Sequence, residues 1–309
     1  MAEIICVGNA VFEQVYEVAD LTEGDEILLA HGYRQTGAGT AANTAIAVRR
    51  LGGAAIMWAR LGDDETGDLI AGDLARYDVD CSMVQRSRGS QSSLESTVLA
   101  ANGKRQVTRF EGAGLPDDAA WLPLGRIQDC NAVLADTTWP TGARTVFEAA
   151  HDQNWPRVLV VDAASSDVPA DLAAAASHIL FTQAALARFS GSREPDTALA
   201  AAAARAGTFV AVTDGTDGLR WCTPEEEQPG ATPPVALDLA DPSGSRDALA
   251  GAFALALGEE KPLAEAIAFA VTAAGITGTA RGARQAMPDR RTVWDLMTTA
   301  FPEFAGADA

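Results

Sequence analysis

The sequence predicts an α/β protein: a doubly wound, mostly parallel sheet flanked by helices, joined to a small β-sheet lid. Three observations predict it. Short β-rich runs at 4–7, 55–61, 133–135, 158–162, 179–182 and 209–213 are mostly apolar at consecutive positions, as strands covered by helices on both faces should be. Ala-rich stretches of helical length separate them at 41–51, 66–77, 141–153 and 197–206, and two more follow at 248–257 and 263–279. That β-α-β rhythm implies a largely parallel sheet. The third observation is where the rhythm breaks. Segments 11–36 and 92–111 stand outside it, and T-V-L-A-A-N-G-K-R-Q-V-T-R-F places an N-G turn between alternating runs, which predicts a hairpin. Pairing of the two segments would give a small second sheet, expected to serve as a lid.

At 309 residues and 48% hydrophobic content the chain can bury a full core, and no repeat, low-complexity linker or charge block divides it. Residues 1–309 are therefore expected to form a single domain. The Pro- and Glu-rich stretch 223–234 is expected to be a solvated surface loop. A formal net charge of −19, with no Lys/Arg cluster, argues against a sequence-independent grip on nucleic acid or on an anionic membrane. A negatively charged substrate would need a local exception, such as a helix N-terminus or a few placed arginines. Cys6, Cys81, Cys130 and Cys222 lie far apart without a C-x-x-C, which argues against a metal site or a disulfide framework and fits a reducing cytoplasm. The start M-A-E-I-I-C-V-G-N lacks the basic and apolar regions of an export signal, and no run of about twenty apolar residues occurs. The expectation is a soluble cytoplasmic protein.

The chemistry concentrates in D-P-S-G-S-R-D, 241–247, which runs directly into the apolar stretch A-L-A-G-A-F-A-L-A-L. Gly and Ser beside acidic residues at a helix start leave backbone N–H groups free, and such a terminus binds anions. Asp247 would then stand beside a bound phosphate, where a carboxylate can take the proton from an attacking hydroxyl. The alternative is structural: Ser243 or Ser245 caps a buried helix and Asp247 favours its positive end. A second cluster, T-G-A-G-T-A-A-N within 36–53, combines small residues that admit a polar ligand with Asn43, which can donate to and accept from a hydroxyl. Ala42 occupies the last position of a dinucleotide fingerprint, which disfavours a nicotinamide enzyme. A third cluster, R-L-G-D-D-E-T-G-D at 60–68, reads as a strand-to-helix connection with an acidic first turn.

Taken in order, these pieces resemble the PfkB family of carbohydrate kinases, which includes ribokinase, over nearly the whole chain. G-N-A-V-F-E is similar to an early G-x-x-x-x-D, with Glu13 at the sugar-binding carboxylate. A-G-T-A-A-N, 38–43, is similar to the first signature and T-D-G-T-D-G, 213–218, to a nucleotide-side T-L-G-x-x-G. Residues 241–247 resemble the second signature, and 281–283 its R-x-G-A ending. The resemblance implies ATP and Mg²⁺ as cofactors and Asp247 as the base, with Gly244, Ser245 and Arg246 as the anion hole. It implies that Glu13, Gly39, Thr40 and Asn43 bind the sugar, and that Gln183, Thr213, Gly215, Gly218 and Thr272 lie on the ATP side. By analogy with relatives it also implies a homodimer through the lid. Within the family, V-L-A-D-T-T-W and L-A-R-F-S-G are most similar to the sulfofructose kinase type, which would place a sulfonate near Ile27, Arg109 and Thr138. Two features of the reaction centre depart from the pattern. The family's N-x-x-E is Q-A-A-L, 183–186, and Arg246 replaces a glycine of the anion hole. These departures motivate an alternative reading, a catalytically impaired protein that binds a sugar or nucleotide.

Overall fold

A computed structural model describes residues 1–22, 24–163, 168–213, 218–226 and 228–306. In chain order the strands are β1 (Glu3–Val7), β2 (Val11–Val18), β3 (Gly32–Ala38), β4 (Ala54–Gly62), β5 (Val84–Ser87), β6 (Leu94–Ala100), β7 (Arg105–Phe110), β8 (Ala132–Asp136), β9 (Arg157–Val161), β10 (His178–Phe181), β11 (Phe209–Val212), β12 (Leu219–Cys222) and β13 (Gly230–Thr232). The α-helices are α1 (Thr40–Arg50), α2 (Glu65–Ala75), α3 (Pro140–Asp152), α4 (Ala170–Ala175), α5 (Gln183–Ser190), α6 (Pro195–Ala206), α7 (Ser245–Gly258), α8 (Leu263–Thr277), α9 (Ala283–Ala286) and α10 (Arg290–Ala300).

The large sheet has the order β13-β12-β11-β10-β9-β8-β1-β4-β5. Its pairs are parallel from β5 to β11, and β12 and β13 add an antiparallel edge. Successive residues of each central strand enter different cores. Ile4 and Cys6 of β1, Met57 of β4 and Leu134 of β8 pack on the side of α1, α7 and α8. Ile5 and Val7, Trp58 and Val133 pack on the side of α3, α5 and α6. This two-sided burial explains the unbroken apolar runs, since each large side chain taken out of water contributes roughly 1.5–3 kcal/mol.

The predicted lid sheet forms with the order β3-β2-β6-β7. β2 pairs antiparallel with β3 and parallel with β6, and β6 and β7 make the expected hairpin. At its turn Asn102 Oδ1 accepts from the Lys104 N–H at 2.9 Å. The register places Glu13, Glu95 and Arg109 side by side on one face. Asp64, in the middle of the third cluster, caps α2 by accepting from Gly67 N–H and also accepts from the Ser92 hydroxyl and N–H. That carboxylate therefore ties the foot of the lid hairpin to the main sheet. One expectation needs correcting. The stretch 223–234 is not wholly loop, because Gly230–Thr232 pairs with β12 as an edge strand.

Among the described residues no helix is long and apolar enough to cross a membrane. The contact that matters most for the site is the crossing of α1 and α7 at Gly251, where a β-carbon would stand 2.7 Å from Ala47 Cβ and 2.7 Å from the Thr44 carbonyl oxygen. Gly251 lies one turn beyond Asp247, and Thr44 is next to Asn43. Gly251→Ala is expected to cost about 1–3 kcal/mol in urea unfolding through overpacking, and to lower kcat as the helices part. An unchanged midpoint and kcat would show that the crossing opens freely.

Candidate active site

The chain leaves β1 for β4 and β5, then returns to the other side of β1 and continues through β8, β9, β10 and β11. β1 and β8 thus mark the point where strand order reverses, and the crevice beyond their carboxyl ends is where open α/β sheets bind ligands. Asp136, the last residue of β8, lies there with only 3% of its surface exposed. Its Oδ2 accepts from the Asn9 N–H at 3.0 Å and the Ala41 N–H at 3.1 Å, and its Oδ1 from the Thr138 N–H at 2.9 Å and the Thr138 hydroxyl. Burial pushes its pKa up while these hydrogen bonds pull it down. Asp136 therefore joins the loop after β1 to the start of α1, where Gly39 is the N-cap and Thr40 the first helical residue.

The turn before α7 accounts for the second signature. Asp241 accepts from the Ser243 N–H at 3.0 Å and from the Gly282 N–H at 3.4 Å, and the Ser245 N–H turns to the Pro242 carbonyl at 3.2 Å. Neither serine side chain caps the helix: the N-cap is Gly244, in the left-handed region at φ 79°. Of the amides expected to form an anion hole, those of Gly244, Ser245 and Arg246, the Ser245 amide is thus engaged. With the Ser245 amide engaged, the N–H groups of Gly244, Arg246 and Asp247 are the ones without an acceptor among the described residues. Three donors at a helix N-terminus suit an anion.

Asp247 lies at 8% exposure in the first turn of α7. Its Oδ2 accepts from Asn43 Nδ2 at 2.6 Å, which brings the two signatures together, while its buried Oδ1 has no partner among the described residues. Burial pushes its pKa up to about 6, opposed by Arg246, Asn43 and Arg284 and assisted by Asp162. A carboxyl with one bonded oxygen, one free oxygen and a pKa near neutrality can accept a proton at physiological pH. Beside it Arg246 is partly buried, and its Nε is buried without a partner among the described residues.

The structure adds a residue that sequence reasoning misses. Arg284, in α9, is 2% exposed. Its Nε donates to Asn43 Oδ1 at 2.7 Å, its Nη2 to the Ala38 carbonyl at 3.1 Å, and its Nη1 pairs with Asp73 of α2. Gly37 makes room for this ion pair, because a β-carbon there would collide with both partners. The sequence signal is the glycine of T-G-A-G paired with a basic residue beyond 281–283, two features separated by most of the chain.

On the lid, Glu13 accepts from the Thr97 hydroxyl at 2.7 Å, and burial pushes its pKa up, helped by Glu95 and opposed by Arg34 and Arg105. Arg109 donates to Glu95 at 2.7 Å. The three positions expected near a sulfonate do not make a cationic site. Ile27 is 89% exposed, the Thr138 hydroxyl is bonded to Asp136, and the one cation, Arg109, is already paired.

On the far side of α7 a mostly apolar cleft is lined by Thr213, Gly218, Val235, Leu239, Leu249 and Val271, among others. Thr213 and Gly218, expected on the ATP side, both line this cleft, and Gly215 lies outside the described residues. Thr272 does not reach the cleft. It is fully buried and its hydroxyl donates to the Ala268 carbonyl, whereas Val271, Ala274 and Gly275 of the same helix line the opening. Gln183 is exposed at the start of α5, and Leu186, where the family pattern has Glu, is 3% exposed in the core beside α3 and α6. Among the described residues no group of three or more His, Cys, Asp or Glu is placed to hold a metal ion.

The chain is similar to the ribokinase of Bacillus subtilis (strain 168), at 25% identity over 314 residues that cover 96% of this chain and 100% of that one. A crystal structure from Agrobacterium tumefaciens, provisionally named a ribokinase, superposes with a TM-score of 0.91 at 30% identity, covering 96% of this chain and 98% of the other. Ribokinase of Arabidopsis thaliana, complexed with ribose and ATP, superposes at 0.85 with 24% identity, again over 96% and 98% of the two chains. The fold is ribokinase-like α/β. The sequence pattern of the pfkB family carbohydrate kinases matches residues 1–290, so the chain belongs to that family and is a carbohydrate kinase.

Proposed function

We propose that the protein transfers the γ-phosphoryl group of ATP to a hydroxyl of a sugar or sugar-like small molecule, with Asp247 as general base. The observation that carries this reading is the free, buried Oδ1 of Asp247 beside three unpaired amides at the start of α7. The acceptor would lie in the switch-point crevice, held by Glu13, by the Gly39–Thr40 turn and by the remaining N–H of Asn43. Its hydroxyl would give its proton to Oδ1 as it attacks, and the amides of Gly244, Arg246 and Asp247 would hold the charge that develops on the transferred group. The free amides and the unpartnered Arg246 Nε fit a polyphosphate, and the apolar cleft on the other side of α7 fits the base of a nucleotide. Mg²⁺ carried on the ATP phosphates would offset their charge. The lid would close over the acceptor and keep water from competing for the phosphoryl group.

The test is ADP release over a panel of sugars, nucleosides and sugar acids. Turnover with at least one sugar, abolished without ATP, is the expected result; no turnover with any member overturns the reading. Leu186, buried in place of a carboxylate, favours a second reading in which the protein binds but does not turn over. Tight binding by titration calorimetry without ATP consumption would support that one.

The lid also suggests an assembly. Ile27, Leu29, Tyr33, Val107 and Phe110 leave large apolar surface exposed on and beside a four-stranded sheet, and such surface is seldom left to water. A homodimer with packed lids is expected by light scattering at micromolar concentration; a monomer there would count against it.

A further inference from the structure

We propose that Arg284 is a positioning residue that fixes the orientation of the Asn43 amide, and through it decides which oxygen of Asp247 is left free to act as base. The inference rests on the kinase reading above and deepens it. An Asn side chain has two ends that can exchange by rotation, one a donor and one an acceptor. Next to a carboxylate only the donor end is favourable. A guanidinium has donors alone, so its Nε, 2.7 Å from Asn43 Oδ1, admits only the acceptor end. The Nδ2 end is thereby directed at Asp247 Oδ2 at 2.6 Å, and Oδ1 remains without a partner.

Arg284 is itself held firmly. The Asp73 carboxylate on one side and the Ala38 carbonyl on the other fix its plane, and Gly37 leaves the space that the pair occupies. A buried guanidinium with a carboxylate partner and this bonding is a costly arrangement to keep for packing alone. It gives α9, α1 and α7 one shared polar connection whose last member is the proposed base. The charged groups acting on Asp247 are Arg246 on its own helix, Asp162 after β9, and Arg284. Those acting on Arg284 are Asp73 and Tyr77, from α2 and the turn that follows it, and Asp247. Removing Arg284 deletes one of two cations that favour the ionised carboxylate and lets the Asn43 amide turn its oxygen to accept from a protonated Asp247. Both effects raise the affinity of Asp247 for a proton.

The experiment uses Arg284→Met and Arg284→Gln, with Arg284→Lys as the conservative control. The titration of Asp247 is followed by carbon NMR of labelled aspartate carboxyls, assigned against Asp247→Asn, in protein without substrate. The same variants are assayed for kcat against pH, alone and combined with Asn43→Ala. Expected are a midpoint raised by about one pH unit in the neutral variants, kcat lower by about twofold at pH 7 and about fivefold at pH 6 with KM for ATP within about twofold, and recovery of most of the midpoint in Arg284→Lys. In the Asn43→Ala background the loss of Arg284 should add less than half of its separate effect on ln kcat. An unchanged midpoint, or fully additive losses, overturns the proposal. If either neutral variant does not fold, the other carries the test. The NMR arm needs no turnover, so a wild-type protein that phosphorylates nothing would defeat the kinase reading while leaving the coupling of Arg284 to Asp247 decided on its own.

Discussion

Asp247→Asn is expected to lower kcat by at least about a hundredfold while leaving KM for ATP within about twofold of the parent, the size of effect seen when a positioned general base is removed. The amide is nearly isosteric, and its oxygen can still accept from Asn43, so the fold should persist. Stability should in fact rise, and the sign can be worked out. The folded-state pKa of Asp247 is raised to about 6 from an ordinary 3.8, chiefly by burial. The stability this group contributes is therefore fully present below about pH 4 and is lost as pH rises through 6. At pH 7 the buried carboxylate is a burden on the order of 3 kcal/mol, which the neutral amide does not carry. The variant should therefore unfold at higher urea than the parent at pH 7.5, with the difference closing toward pH 4. The parent's kcat/KM should fall on the acid side with a midpoint near 6. Retention of most activity in the variant, or a parent profile flat through pH 6, would remove Asp247 from the role of base.

The parts of this fold that were legible in the sequence are those whose physics is local. β1, β4 and β8 to β11 bury both faces, so their residues are continuously apolar and can be read without partners. The lid hairpin was legible because N-G demands a turn whatever surrounds it. β12 and β13 were not, because strands of four and three residues at a sheet edge carry too few side chains to show a period. α10 shows little periodic signal although Asp289 caps it through the Thr292 N–H, since Val293 and Met297 are its only buried positions.

The site divides in the same way. Asp247 and Asn43 stood out because each lies in a motif dense with small residues, and their 2.6 Å contact follows from the close crossing at Gly251. Asp136, Asp73 and Arg284 were silent because their roles depend on partners far away in the chain. Arg284 in R-G-A-R-Q looks like one more exposed basic residue until the fold places it against Asp73 and Asn43, 211 and 241 residues earlier. Thr272 shows the opposite failure. The helix carrying it is legible in the sequence, but one residue of rotation decides which neighbour faces the cleft, and a hydroxyl that returns to its own backbone gives no sign of that in the sequence.

Arg246 is the remaining departure from the family pattern, and Arg246→Gly, although it restores the consensus glycine, is expected to lower kcat/KM for ATP by about tenfold or more. The side chain stands at the second position of α7 with its Nε buried and unpartnered. A group left in that state needs an acceptor, and on the proposed reading a phosphate oxygen at the helix start would supply it. A charge-assisted hydrogen bond to phosphate contributes about 1.5–3 kcal/mol, which sets the size of the expected loss. In a chain of net charge −19 a local cation also matters more for holding a polyanion than it would on a basic surface. Arg246 is in addition the strongest influence holding the Asp247 pKa down against burial. Its removal should therefore push that pKa further up, and the loss should be larger at pH 6 than at pH 8. The competing possibility is that the guanidinium obstructs the phosphate. The glycine variant would then be the faster enzyme at pH 8, with a smaller gain at pH 6. Measuring kcat/KM for ATP in the two proteins at pH 6 and pH 8 separates these outcomes, and an unchanged value at both would mean that Arg246 touches neither the phosphate nor the base.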